Sequence, residues 1–155
     1  MNEQLPAWII AMQSFGWQGM VQVIIAGLLG ALIGAEREWR GRDAGLRTNM
    51  LISMGSCLFT VISIYGFPLQ GSTAQDTARV AAQVVTGVGF LGAGAFIHGR
   101  GHTKGMTTAA TIWMVAAIGM AVGVQAYVLA IFASLFTFFI LRYLQPVSKT
   151  LAKKE

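Results

Sequence analysis

The amino-acid sequence predicts an all-α integral membrane protein with five transmembrane helices. Its 155 residues are 55% hydrophobic and only 11% charged, whereas soluble domains contain roughly 25% charged residues. Five windows of about 20 residues are almost free of charge, which is the length that a helix needs to cross roughly 30 Å of hydrocarbon. Ten of the eleven Lys and Arg residues are predicted to lie in loops and a tail on the same side of the membrane.

The chain divides into a short N-terminal segment, a membrane domain and a basic tail. Residues 1–18 include Trp8 and Trp17 around an apolar stretch too short to cross, so we expect an interfacial or periplasmic segment. The membrane domain covers residues 19–145. Residues 146–155, which contain three lysines, form the predicted cytoplasmic tail.

The predicted spans are bounded by charged or glycine-rich segments. The fourth and fifth spans are nearly continuous, but a single helix over 106–144 would measure about 58 Å, twice the hydrocarbon thickness. A tight turn near Gly123 is therefore expected. The five spans are residues 19–35, 48–66, 78–97, 106–123 and 125–144.

The basic residues determine the predicted orientation, because short loops rich in Lys and Arg stay in the cytoplasm. Only Arg79 lies on the opposite side, next to Asp76, which is placed to cap the third span. The chain therefore runs from an outside N-terminus to an inside C-terminus, most simply in a bacterial inner membrane. The net charge of +5 is assigned to contact with anionic lipids and not to nucleic acid.

The sequence contains a predicted internal repeat with an offset of 60 residues. Nine of the 28 positions from Gly27 to Met54 are identical to those from Gly87 to Met114. Each unit would contain a small-residue helix, a basic loop and a return helix. The first and second spans thus form one unit, the third and fourth form a parallel second unit, and the fifth span stands outside the repeat.

Glycines recur on the first and third spans in patterns typical of closely packed membrane helices. The third span is richer in glycine, so we expect it to be the most enclosed helix. Residues 87–92 also match the dinucleotide-binding pattern GxGxxG, but they lie within a predicted span and no acidic residue follows at the required distance. The alternative to packing is a direct role in a permeation path. The packing candidates are Gly30, Gly34, Gly87, Gly89, Gly92 and Gly94.

The loop after the first span is the only dense cluster of both charges in the sequence. If its start is helical, Glu36 faces Arg40 and Glu38 faces Arg42, four residues apart. The helix dipole disfavours a carboxylate at a helix C-terminus, so we expect Glu36 to have a cationic partner. Structural and functional roles are both open for this loop. Its candidate residues are Glu36, Arg37, Glu38, Arg40, Arg42 and Arg47.

The other polar candidates lie within or beside the later spans. Thr107 or Thr108 is placed to cap the fourth span. No catalytic group, cofactor or metal site is expected, because the six acidic residues are few and scattered, glycines separate His98 from His102, and Cys57 is alone. The candidates are Asp76, Arg79, Gln83, Thr86, Thr107 and Thr108.

Three motifs of the sequence resemble the MgtC/SapB family of bacterial membrane proteins. The first is GAEREWRGR at 34–42, followed by AGLRT at 44–48; the second is AAQVVTGVGFLGAG at 81–94, and the third is GMTTAATIW at 105–113. The resemblance extends over residues 19–144. Prototypical members continue into a cytoplasmic ACT-like domain, so this chain is expected to correspond to their transmembrane domain alone.

The resemblance implies an inner-membrane protein that supports growth under magnesium limitation and related stress and, in pathogens, survival inside host cells. It also implies a regulatory partner such as the F-type ATP synthase. The small-residue faces favour a non-enzymatic protein that works through helix contacts and forms a homodimer. The alternative is a dimeric transporter or channel for a cation or small solute, which the repeat, Glu36, Gln83 and Thr86 favour.

Overall fold

The computed structural model describes the backbone of residues 7–66, 78–97 and 105–151, and the side chains from Gly16 onward in these segments except at 96–97 and 145–151. The described segments form five α-helices and contain no strand, so the predicted all-α class is confirmed. The helices are α1 (Ala7–Trp39), α2 (Leu46–Tyr65), α3 (Arg79–Ile97), α4 (Met106–Gly123) and α5 (Tyr127–Leu151).

Four of these helices contain stretches long and apolar enough to cross a membrane. The stretches are Gly16–Trp39, Leu46–Tyr65, Met106–Gly123 and Tyr127–Leu144. The remaining helix, α3, is 19 residues long and coincides with the predicted third span. Its only charged residue is Arg79, at its first position. The membrane orientation, with the N-terminus outside and the C-terminus inside, and the internal repeat stay predictions.

The helix α1 is longer than the predicted first span. It contains 33 residues, or about 50 Å at 1.5 Å per residue, which exceeds the hydrocarbon thickness. Its N-terminal turns include most of the segment predicted to be interfacial, so that segment and the first span form one continuous helix. Similarly, α5 continues to Leu151, beyond the predicted start of the tail at residue 146.

A tight turn joins α4 to α5 and confirms the break predicted near Gly123. The helix α4 ends at Gly123, and α5 begins at Tyr127. Gln125 adopts a φ of 63°, a left-handed conformation that commonly ends a helix. The amide of Ala126 donates to the carbonyl of Ala121 at 2.8 Å, so the turn satisfies one of the last carbonyls of α4.

Close helix approach at glycines packs one face of α2 against both α1 and α4. A Cβ atom added at Gly30 would lie 2.7 Å from the carbonyl oxygen of Asn49, and one at Gly34 would lie 2.7 Å from the Cα of Leu46. On α4, Gly119 approaches the backbone of Ser53 in the same way. The packing role predicted for these first-span glycines therefore agrees with their contacts, whereas Gly119 was not among the predicted packing residues.

The side of α2 that faces its neighbours is polar. Small hydroxyl groups allow backbones to approach, and they bond to the helix itself, as when the Thr60 hydroxyl donates to the Ser56 carbonyl at 2.8 Å. Large apolar side chains such as Leu51 and Phe59 are exposed on the other side. Buried polar groups and exposed apolar side chains are the arrangement expected of a helix surrounded by hydrocarbon. The buried polar residues of α2 are Asn49, Ser53, Ser56, Thr60 and Ser63.

The helix α3 lies at the outside of the bundle, so the expectation that it is the most enclosed helix is wrong for the single chain. Val84 and Val88 pack toward α4, and a Cβ at Gly92 would meet Ala109 at an ordinary 3.6 Å. The opposite side is open, and Phe90 is 81% exposed. The small residues of α3 are therefore divided, because Gly92 and Ala95 pack toward the other helices while other glycines are open. Three of its glycines have nothing within 4 Å of an added Cβ: Gly87, Gly89 and Gly94.

Candidate functional site

The polar residues predicted in the first loop gather at one end of the bundle, which we call the charged end. Here α1 ends, α2 and α4 begin, and the last described side chains of α5 pass by. A cavity of about 520 Å³ opens at this end. One wall carries arginines, another is the first turn of α4, and a third is apolar. The first loop and the start of the fourth span, which are 70 residues apart in sequence, thus share one site.

Arg37 connects three parts of the charged end. Its side chain is only 4% exposed. Its Nη2 atom donates to the hydroxyl of Thr108 on α4 at 2.5 Å and to the carbonyl of Asp43 in the loop at 3.3 Å. The Nε atom has no hydrogen-bond partner among the described residues. Arg37 therefore fixes the end of α1 against α4 while keeping one buried donor available.

Glu36 forms the ion pair that the spacing predicts. Its Oε1 lies 2.6 Å from the Nε of Arg40, and Glu36 is 3% exposed. The Nη2 atom of Arg40 donates to the carbonyl of Arg142 on α5 at 2.6 Å. The guanidinium of Arg142 in turn lies over the ring of Trp39, 5.3 Å from its centroid. This chain of contacts joins α1 to α5 and compensates the buried carboxylate.

Glu38 does not pair with Arg42 in the described part of the chain, so that prediction is wrong. Its Oε2 accepts a hydrogen bond from the backbone N–H of Leu46 at 2.7 Å and so caps α2. The helix α1 ends at Trp39, and Gly41 has a φ of 59°. Arg42 is therefore not on the same helix face as Glu38, as a pair four residues apart requires. An anionic cap at a helix N-terminus is favourable because it meets free amides and the positive end of the dipole.

Asn49 is a buried residue of this site that sequence reasoning missed. Its Nδ2 donates to the carbonyl of Gly45 at 2.8 Å and also to the carbonyl of Ala44, which has a left-handed φ of 55°. Asn49 thereby holds the loop between α1 and α2. The signal available in the sequence was an amide within an otherwise apolar span.

The two threonines of the fourth span do not cap it as predicted. The N-cap is Gly105, which makes no side-chain cap bond and has a φ of 131°. A conformation of this kind favours glycine. Thr107 is exposed at the cavity, and Thr108 is buried against Arg37. Among the described residues, no side chain therefore caps the first turn of α4.

Most of the other predicted site residues that the structure describes lie apart from this cavity. Arg47 is exposed on the first turn of α2, while Arg42 is exposed and lines the cavity. Gln83 and Thr86 are exposed on α3, and Gln83 lines an apolar cleft of about 470 Å³ between α2 and α3. Arg79 begins α3. Residues outside the described segments are Asp76, His98, Arg100, His102 and Lys104.

Within the described segments, no group of three or more His, Cys, Asp or Glu side chains is arranged to hold a metal ion. Two of the three acidic groups at the charged end, all but the exposed Asp43, have other partners. Glu36 contacts Arg40, and Glu38 caps α2. The site is therefore a set of cations and amide groups suited to an anion more than a cage for a cation.

Comparison with known proteins identifies relatives over most of the chain. The model of the MgtC family matches residues 23–150. The chain is 44% identical over 139 residues to "Putative magnesium transporter YhiD" of Escherichia coli K12, covering 88% of this chain and 65% of that protein. It is 43% identical over 117 residues to "Protein MgtC" of Salmonella typhimurium LT2, covering 75% of this chain and 48% of that protein.

A third relative is more distant. "Uncharacterized protein slr0014" of Synechocystis is 36% identical over 131 residues, covering 84% of this chain and 54% of that protein. The chain thus spans about half to two thirds of the length of these curated relatives. No solved structure matches the chain.

Proposed function

Because the chain belongs to the MgtC family, we propose that it acts without catalysis in adaptation to magnesium limitation, through contacts between its helices and those of other membrane proteins. Family membership and four apolar helices make it a multi-pass protein of the bacterial inner membrane. The contacts proposed are with a second copy of the chain and with a membrane complex, for which the F-type ATP synthase is the candidate.

The exposed side of α3 is the observation that carries this proposal. Gly87, Gly89 and Gly94 meet no described atom that would obstruct an added Cβ, although glycine costs a helix about 1 kcal/mol relative to alanine. Gly87 and Gly94, seven residues apart, share one face of α3, and glycines on one face of a membrane helix allow another backbone to come close. Gln83 and Thr86 are exposed on the same helix, and polar groups in hydrocarbon gain from a bonding partner. Both features favour a helix from another chain.

The packing of α2 supports the same proposal. Glycines of α1 and α4 lie directly against the polar residues of α2. These glycines and polar residues therefore contribute to close packing within the chain. The cleft of about 470 Å³ between α2 and α3 faces outward instead. The side of the molecule suited to a partner is therefore the α3 side.

The second candidate function is transport of a cation or small solute by a dimer. It is favoured by the cavity at the charged end with the buried carboxylate of Glu36 in its lining, and one relative has the name "Putative magnesium transporter YhiD". The ion pair opposes this candidate for magnesium. Arg40 compensates Glu36, whereas Mg²⁺ is usually held by carboxylates with several retained waters.

Substitution on α3 tests the contact proposal. The double variant Gly87→Ile with Gly94→Ile is expected to reduce pair formation in membranes about tenfold, because two branched side chains would hold the helices apart. Energy transfer between labelled copies measures pairing, and growth of a deletion strain in low magnesium measures function. The control is Ala117→Ile, an added side chain at an exposed position of α4. Equal effects of the two variants would contradict the proposal.

A flux assay separates the two candidate functions. We expect proteoliposomes containing the chain to pass Mg²⁺ no faster than empty liposomes. A flux that the chain creates and that Glu36→Gln abolishes would refute the regulatory function and establish transport. The variant must retain its circular dichroism spectrum for this comparison, since Glu36 also contacts Arg40.

A further inference from the structure

The cavity at the charged end combines a cationic wall, the first turn of a helix and an apolar wall. Its volume of about 520 Å³ is within the range of roughly 300–1,000 Å³ that holds small-molecule ligands. None of the described residues that line it belongs to α3. A ligand in this cavity would therefore not occupy the surface of α3 that is proposed for helix contacts.

The charged groups leave the cavity with an excess of positive charge. Arg37, Arg40 and Arg42 line it together with Glu36 and Asp43. Arg40 and Glu36 compensate each other at 2.6 Å. Arg37 is nearly fully buried with its Nε unsatisfied, and Arg42 is exposed at the cavity mouth. A buried guanidinium with an unused donor beside a second arginine is suited to an anionic oxygen.

The start of α4 adds to the attraction for an anion. The first amides of a helix have no partner within the helix, and the dipole places partial positive charge there. The α4 N-cap is Gly105, which makes no side-chain cap bond. Thr108 in this first turn accepts a hydrogen bond from Arg37 at 2.5 Å, so the helix terminus and the buried cation are fixed next to each other. Phosphate groups commonly bind at such termini.

The third wall distinguishes a lipid from a free anion. It consists of Ile140, Leu141 and Leu144 of α5. Ile140 and Leu144 are partly exposed on the side of a helix apolar enough to span the membrane. A free phosphate would gain nothing from contact with this apolar surface, whereas an acyl chain would cover it. The cavity therefore matches a ligand with an anionic head and an apolar tail.

We propose that the cavity at the charged end binds an anionic phospholipid, with its phosphate between Arg37, Arg42 and the first turn of α4 and an acyl chain along α5. The excess positive charge favours a headgroup with net negative charge over a zwitterionic one. Nothing in this proposal depends on pairing through α3.

Binding of short-chain lipids to the full chain in a neutral detergent tests the proposal. The probes are dioctanoyl phosphatidylglycerol, dioctanoyl phosphatidylcholine and inorganic phosphate, and native mass spectrometry with a thermal shift measures binding. We expect phosphatidylglycerol to bind about tenfold more tightly than phosphatidylcholine. Equal stabilisation by inorganic phosphate would overturn the lipid assignment, and equal affinity for the two lipids would overturn the anionic one.

Matched variants locate the site. Arg42→Gln is expected to weaken binding of phosphatidylglycerol about three- to tenfold. Arg47→Gln removes the same charge from an exposed position outside the cavity and should change the affinity less than twofold. Equal effects of the two variants would show diffuse attraction to the charged end and refute the site.

A second pair of variants tests the apolar wall of the cavity. Leu144→Gln is expected to weaken lipid binding about threefold, while Tyr143→Gln, at an exposed neighbour that does not line the cavity, should have no effect. Unchanged affinity in Leu144→Gln would refute the acyl-chain contact. All four variants are at exposed or half-exposed positions, so the fold is expected to survive. Pair formation through α3 should be unaffected in each, which keeps this test independent of the proposed function.

Discussion

Substitution of Gly30 by alanine is expected to destabilise the chain, whereas the same substitution at Gly87 is not. The added Cβ at Gly30 would lie 2.7 Å from the Asn49 carbonyl oxygen and 2.9 Å from the Ser53 Cβ. Ordinary contacts begin at 3.4 Å, so α1 and α2 must separate by about 0.7 Å at this point or distort. Overpacking of this kind costs roughly 1–3 kcal/mol. At Gly87 an added Cβ meets nothing within 4 Å.

The comparison between the two variants isolates the steric cost. Both positions are in helices, so both gain about 1 kcal/mol from the helix propensity of alanine, and this gain cancels in the difference. Gly30→Ala should therefore be less stable than Gly87→Ala by roughly 1–3 kcal/mol. Reversible unfolding in mixed micelles, followed by circular dichroism, measures the difference. Free energies of unfolding within 0.5 kcal/mol of each other would refute the close approach of α1 and α2.

Two further substitutions test the contacts of the charged end. Thr108→Val removes the acceptor from buried Arg37 and should lower the free energy of unfolding by about 1–3 kcal/mol; Thr107→Val, at an exposed position, is the control and should cost less than about 0.5 kcal/mol. Glu38→Ala removes the cap of α2 and should cost about 1 kcal/mol, with faster hydrogen exchange at the N–H of Leu46. Unchanged exchange at that amide would contradict the cap.

The helices and the ion pair of the first loop were predictable because local patterns determine them. The length of an apolar stretch decides whether a helix spans the membrane, so the five helices agree with the predicted spans apart from extensions at α1 and α5. The pair between Glu36 and Arg40 follows from four-residue spacing on a continuous helix. The pairing of Glu38 failed because the helix ends first, and the conformation at Gly41 is not visible in a spacing rule.

The environment of α3 was not predictable from its glycines. Small residues show that a helix can be approached closely, but they do not show whether the neighbour belongs to the same chain. Gly30 and Gly87 have the same residue type in similar apolar contexts, yet one contacts α2 and the other is open in the described structure. Hydrophobicity also does not show which side of a helix faces the rest of the chain, because lipid chains are as apolar as the protein interior.

Polarity is the better guide to position in this bundle. Among the four apolar spans, α2 is the least apolar, and its buried hydroxyl groups and Asn49 lie on the face that packs against α1 and α4. A hydrogen-bonding group in hydrocarbon gains from a partner in protein, so the polar face of α2 is the one that packs against the other helices. Gln83 and Thr86 are exposed on α3, where polar groups in hydrocarbon would likewise gain from a partner. Polarity therefore accounts for the buried face of α2, and it favours the proposed contact of α3 with a second molecule.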